Sequence, residues 1–139
     1  TCIEEEAFRG CSALKSIDIP NSVTFIGRAA FMNCEGLLSV AIPNSVTLIS
    51  RNSFYGCTAL TTVLIGSSVR EISTDAFAHC PRLKDIYCYA EKIPQANLYT
   101  FSKTLIRSAN LSVPEHLVDV YRNTEPWNFF GKIIRIAEK

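Results

Sequence analysis

Apolar residues recur along this chain at a fixed interval of 23. Phe8, Phe31, Phe54 and Phe77 keep that spacing, and so do Cys11, Cys34, Cys57 and Cys80. Leu14, Leu37, Leu60 and Leu83 follow in phase, then Ile17, Val40, Val63 and Ile86, then Ile19, Ile42, Ile65 and Cys88. Val23, Val46 and Val69 come next, and Ile26, Ile49 and Ile72 close each unit, with Ile3 in the equivalent place before Phe8. One unit reads I-x4-F-x2-C-x2-L-x2-I-x-I-P-x2-V. A short unit of this kind cannot bury its apolar side alone. Stacking successive units aligns equivalent residues into buried columns, which is the logic of a solenoid.

Local spacing predicts the sides of each coil. In Ile17-x-Ile19 the apolar residues alternate, the period of a strand, so each unit is expected to add one short parallel strand to a ladder. Pro20 and Pro43 close the strand because proline has no N–H for a ladder bond. Asn21-Ser22 and Asn44-Ser45 supply turn chemistry behind it. Val23 to Ile26 predicts a second extended side. Ala30, Phe31 and Cys34 are spaced i, i+1, i+4, which predicts a short helical or 3₁₀ turn with one face inward.

The strict period fails after residue 89. The next Phe is expected at position 100 and stands at 101, and Leu111-x-Val113-Pro114 copies Ile17-x-Ile19-Pro20 at a stretched interval. Residues 90–114 therefore read as a distorted fifth coil after four coils in 1–89, the first of them truncated. Pro114 suits the first turn of a helix. Leu117, Val118 and Tyr121 give that helix an apolar face. Trp127, Phe129 and Phe130 follow, and Lys132 to Ile136 reads as a last strand. Residues 115–139 are thus expected to cap the open end of the stack, a cover that solenoids require.

The unit resembles the BspA-like (Treponema-type) leucine-rich repeat, in stretches such as IGRAAFMNCEGLLSVAIPNSVTLI and ISRNSFYGCTALTTVLIGSSVREI. The resemblance covers residues 3 to about 89. Its departures are Ser53 for Ala, Gly66 for Pro and Cys88 for the second Ile. L-x-VP-x6-Y-x5-W-x-F-F-x2-I also resembles the C-terminal module of secreted or surface proteins of Bacteroides-type bacteria. The resemblance implies an α/β repeat solenoid, a right-handed leucine-rich-repeat coil with a parallel strand ladder. It also implies an adhesive, extracellular or cell-surface role for a bacterial protein. The chain begins inside a coil, so further solenoid or a signal peptide with an N-terminal cap is expected upstream. An open first coil presents unpaired strand edges, through which this chain is expected to self-associate.

Composition narrows the function. The 139 residues carry 14 basic and 13 acidic side chains, a net charge of +1, which lacks the clustered cationic excess of a nucleic-acid binder. Hydrophobic residues make up 47%, enough for a core. No apolar run reaches the length of a membrane span.

The chemistry-bearing residues read mostly as structure. Equivalent cysteines on stacked coils point the same way, so Cys11, Cys34, Cys57 and Cys80 are expected to stay reduced, as small buried hydrophobes. No paired short Cys spacing marks a zinc site. His79 falls at a position held by Gly10, Asn33 and Gly56 in other coils, and His116 lies beside Glu115. Neither sits in a nucleophile motif. Glu4-Glu5-Glu6 reads as a solvated corner. No catalytic residue, metal or cofactor is expected. The candidate binding surface is the outward face of the ladder: Asp18, Thr62, Leu64, Asp85, Tyr87 and, at the edge, Tyr89. Aromatic side chains with polar tips anchor interfaces. The alternative for the tyrosines is packing against the cap; Trp127 is expected to anchor the cap core, with a ligand contact as its alternative. The expected function is non-catalytic recognition of a protein or glycan. The rivals are a structural spacer, an intracellular scaffold, or the accessory region of an enzyme whose active site lies upstream.

Overall fold

The structure, a computed structural model, describes residues 2–136. Its strands are β1 (Cys2–Ile3), β2 (Phe25–Ile26), β3 (Ser39–Ile42), β4 (Leu48–Ile49), β5 (Thr62–Ile65), β6 (Glu71–Ile72), β7 (Asp85–Cys88), β8 (Asn110–Val113) and β9 (Lys132–Arg135). They form two parallel sheets, β3-β5-β7-β8-β9 and β1-β2-β4-β6. The chain is an α/β repeat solenoid in which each pass contributes to one sheet, then the other.

The register explains the repeat. Val40 pairs Val63, which pairs Ile86, which pairs Leu111 and then Ile133. Ile3, Ile26, Ile49 and Ile72 pair in the second sheet. In β3, β5 and β7 the first and third residues face out and the second and fourth are buried. The first coil differs from the sequence expectation. Ser16–Ile19 forms no strand, although Leu38 still donates its N–H to the Lys15 carbonyl at 3.0 Å. Among the described residues this segment is bonded on one side only, and Ile17 and Ile19 are half-buried.

The third side of the coil also departs from expectation. It is not a 3₁₀ helix but a run of overlapping reverse turns. Ala30, Met32 and Cys34 donate to the carbonyls three residues back, of Gly27, Ala29 and Phe31. The N–H groups between them go to the next coil: Ala29 to Arg51, Phe31 to Ser53 and Asn33 to Tyr55, at 2.7–2.9 Å. This alternation uses left-handed residues in two columns, Glu6, Ala29, Asn52 and Asp75, then Gly10, Asn33, Gly56 and His79, with φ between 53° and 74°. A 3₁₀ helix would keep every N–H inside its own coil and leave this side of the stack unbonded.

Two columns fill the interior. The rings of Phe8, Phe31, Phe54, Phe77 and Phe101 stack with centroids 5.1–6.0 Å apart and planes within 14°. Beside them Cys34, Cys57 and Cys80 donate their thiols to the carbonyls of Phe8, Phe31 and Phe54 at 3.1–3.2 Å. Thr104 takes the same place in the distorted coil, its hydroxyl 2.6 Å from the Phe77 carbonyl. The column therefore wants a small side chain with one donor, since a buried carbonyl left unpaired is costly. Cys11 is exposed, with no coil among the described residues stacked beneath it.

The C-terminal segment ends the ring stack. A 3₁₀ turn at Glu115–Leu117 leads into α1 (Val118–Arg122), and a second at Trp127–Phe129 leads into β9, which pairs β8 in parallel. Trp127 and Phe130 meet Phe101 edge-on, at 70° and 85°. The Trp127 indole N–H donates to the Pro94 carbonyl at 3.2 Å, and the ring is fully buried. Residues 137–139 of the expected cap lie outside the described residues.

Candidate functional site

The five-stranded ladder presents two outward columns. Ser39, Thr62, Asp85, Asn110 and Lys132 stand side by side in one; Ala41, Leu64, Tyr87, Ser112 and Ile134 are in register in the other, where Ser112 is buried. The first column is polar, and the Asn110 side-chain N–H₂ donates to the Asp85 carboxylate at 3.0 Å. The second is largely apolar. Leu64 and Tyr87 are half-buried by their neighbours, while Ile134 is 46% exposed.

Of the residues singled out in the sequence, Thr62, Leu64, Asp85 and Tyr87 come together on this face. Tyr89 adjoins it, 41% exposed. Asp18 is exposed on the first coil, apart from the five paired strands. Among the described residues, no ring contact joins Tyr87 or Tyr89 to the terminal aromatic group of Tyr121, Trp127 and Phe130. Tyr89 instead lines a shallow depression of about 430 Å³ with Ala41, Leu64, Gly66, Asn44 and Ser67. Sequence reasoning singled out none of Gly66, Asn44 and Ser67 as site residues. The signal was available: the column of strand-closing prolines reads Pro20, Pro43, Gly66, Tyr89, Pro114, and its two exceptions are adjacent coils.

The remaining reactive groups are placed as structure. Burial pushes the thiols of Cys34, Cys57 and Cys88 upward and that of Cys80 up to about 12. They are held as protonated donors, the opposite of the activation a nucleophilic thiol needs. Cys88 lies 3.4 Å from the Tyr121 hydroxyl, and burial raises that phenol too. His79 is exposed, with its ring 4.8 Å from that of Tyr55. No group of three or more His, Cys, Asp or Glu is gathered among the described residues as a metal would require. No helix among them is long and apolar enough to cross a membrane.

Comparison with known proteins agrees with this geometry. A leucine rich cell surface protein of Faecalibacterium prausnitzii matches at 28% identity and a TM-score of 0.62, over 99% of this chain and 30% of its own. The pneumococcal vaccine antigen PcpA has the same fold, with a TM-score of 0.68 at 20% identity, over 99% of this chain and 40% of its own. A leucine-rich repeat protein of Bacteroides ovatus matches at 24% identity over 83% of this chain and 44% of its own, with a TM-score of 0.45. The chain thus spans less than half the length of each. No curated protein matches it. The family model of the BspA type leucine rich repeat region matches residues 1–124 in six copies, and the chain belongs to that family.

Proposed function

We propose that this chain is a non-catalytic binding module of a secreted or cell-surface bacterial protein, and that the strand ladder is its contact face. The observation that carries the reading is the paired columns of that face. A polar row through Thr62 and Asp85 runs beside an apolar row through Leu64 and Tyr87, with Tyr89 standing exposed at the edge. Both rows are fixed by a continuous backbone lattice, so little ordering accompanies contact with a partner. The partner is a protein or a glycan. The surface location is supported by the F. prausnitzii protein, which is described as a leucine rich cell surface protein.

Two experiments test the reading. Beads coated with the chain are scored for adhesion to arrays of matrix proteins and glycans and to epithelial cells. The ladder variant Leu64→Ser/Tyr87→Ala is expected to lose adhesion while keeping its melting temperature. The control Arg51→Ser, away from the ladder, is expected to keep both. Equal adhesion by all three, or none by any, refutes the ladder as a contact face and leaves the repeats as a spacer. Protease shaving of intact native cells is expected to release repeat peptides before lysis. Release only after lysis refutes the surface location.

A further inference from the structure

The depression beside Tyr89 has a chemistry of its own. Two neighbouring coils depart from the strand-closing proline, Gly66 in one and Tyr89 in the next. Gly66 carries no side chain where other coils carry a ring, and its buried backbone forms part of the floor of the depression. It also has to be glycine, since a Cβ there would stand 2.5 Å from the Pro43 carbonyl oxygen. Ala41, also small, lines the same depression. Tyr89 thus stands beside a floor of backbone and small side chains, and it remains 41% exposed.

The rim carries neutral hydrogen-bonding groups. The Asn44 side-chain carbonyl accepts the Ser67 N–H at 2.9 Å, which fixes the amide and leaves its N–H₂ without a partner among the described residues. The Ser67 hydroxyl likewise has none. No residue lining the depression is charged. An aromatic ring, a patch of aliphatic surface from Leu64 and Ala41, and a rim of amide and hydroxyl groups match a molecule with one apolar C–H face and hydroxyls around its edge. We propose that this depression is a subsite for a neutral pyranose sugar, stacked on Tyr89 and hydrogen-bonded at its rim by Asn44 and Ser67. The proposal rests on the reading of the ladder as a binding face and names the ligand chemistry at one end of it. A charged peptide or acidic sugar would find no counter-charge in the depression, and a bulky apolar side chain would leave the Asn44 amide and Ser67 hydroxyl unpaired, a costly outcome.

Saturation-transfer NMR of the chain with millimolar glucose, galactose, mannose and N-acetylglucosamine tests this. At least one sugar is expected to receive saturation, concentrated on the C–H protons of one ring face. Tyr89→Ala should weaken that sugar at least tenfold, Tyr89→Phe should retain it, and Asn44→Ala should weaken it with the stacking signature kept. Tyr87→Ala, which does not line the depression, should leave sugar binding intact. Matching circular dichroism melts confirm that each variant is folded. If none of the four sugars binds, or if binding survives Tyr89→Ala, the subsite is overturned. Should adhesion still fall in Leu64→Ser/Tyr87→Ala under that outcome, the ladder stands as a contact face and only its sugar subsite is lost.

Discussion

Replacing Phe54 with Ala strikes the middle of the ring column. The side chain is fully buried, with Phe31 5.1 Å away on one side and Phe77 5.2 Å away on the other. Truncating a buried Phe costs about 3–5 kcal/mol. An aromatic pair is worth about 0.5–1.5 kcal/mol beyond its area, and two are lost here, which places the cost in the upper half of that range, about 4–5 kcal/mol. Unfolding entropy of about 2.1 cal/mol/K per residue gives about 0.3 kcal/mol/K over 139 residues, so the melting temperature should fall by about 14–17 °C. Solenoid stability is a sum of coils and their interfaces, so a gap at mid-stack should also broaden the transition. Circular dichroism melts of Phe54→Ala and Phe8→Ala make the comparison. Phe8 is half-buried and has a single ring neighbour in the stack, so its shift should be less than half as large. A Phe54→Ala shift no larger than that of Phe8→Ala would falsify the column energetics argued here.

Three further outcomes follow from the interior and the turns. The Cys80 thiol is pushed from 9.0 up to about 12 by burial, so the native state holds its proton more tightly than the unfolded chain. Its stabilising contribution is complete below pH 9.0 and is lost as pH rises toward about 12; native-state alkylation at pH 8 should label Cys11 and spare Cys34, Cys57 and Cys80, and rapid labelling of those three would refute their burial. His79 holds φ 53°, so His79→Val should destabilise by about 1–2 kcal/mol in chemical denaturation while His79→Gly is tolerated; equal losses would refute the left-handed assignment. Trp127→Phe removes the donor to the Pro94 carbonyl and should cost about 1–3 kcal/mol, read the same way.

The repeat was legible because each coil contributes one residue to each buried column, so packing writes itself into the sequence as a spacing. The column pairs Val40 with Val63 and Ile26 with Ile49 in register, as the period requires. The turn side was not legible in the same way. Its apolar spacing at Ala30, Phe31 and Cys34 suits a helix, but its conformation is decided by where the N–H groups between them go, which is a property of two coils. The left-handed column did leave a trace, since Gly10, Asn33, Gly56 and His79 draw on residue types that tolerate positive φ. The exposed face was legible only as an alternation. Leu64 and Tyr87 follow from counting along one strand, whereas the depression at Asn44, Ser67 and Tyr89 is assembled from three successive coils. It shows in the sequence only as two exceptions to a proline.

The coil-to-coil bonding has a mechanical consequence. Along the stack, neighbouring coils are about 5 Å apart, the spacing of the rings and of paired strands. Tension applied along that axis pulls directly on the bonds between one coil and the next, so they open like successive rungs rather than shearing together. Each released coil trades that spacing for 23 residues of extended chain, a contour of about 76–83 Å. Under load the molecule would pay out length coil by coil at modest force, and the coils still stacked would keep their ladder face intact.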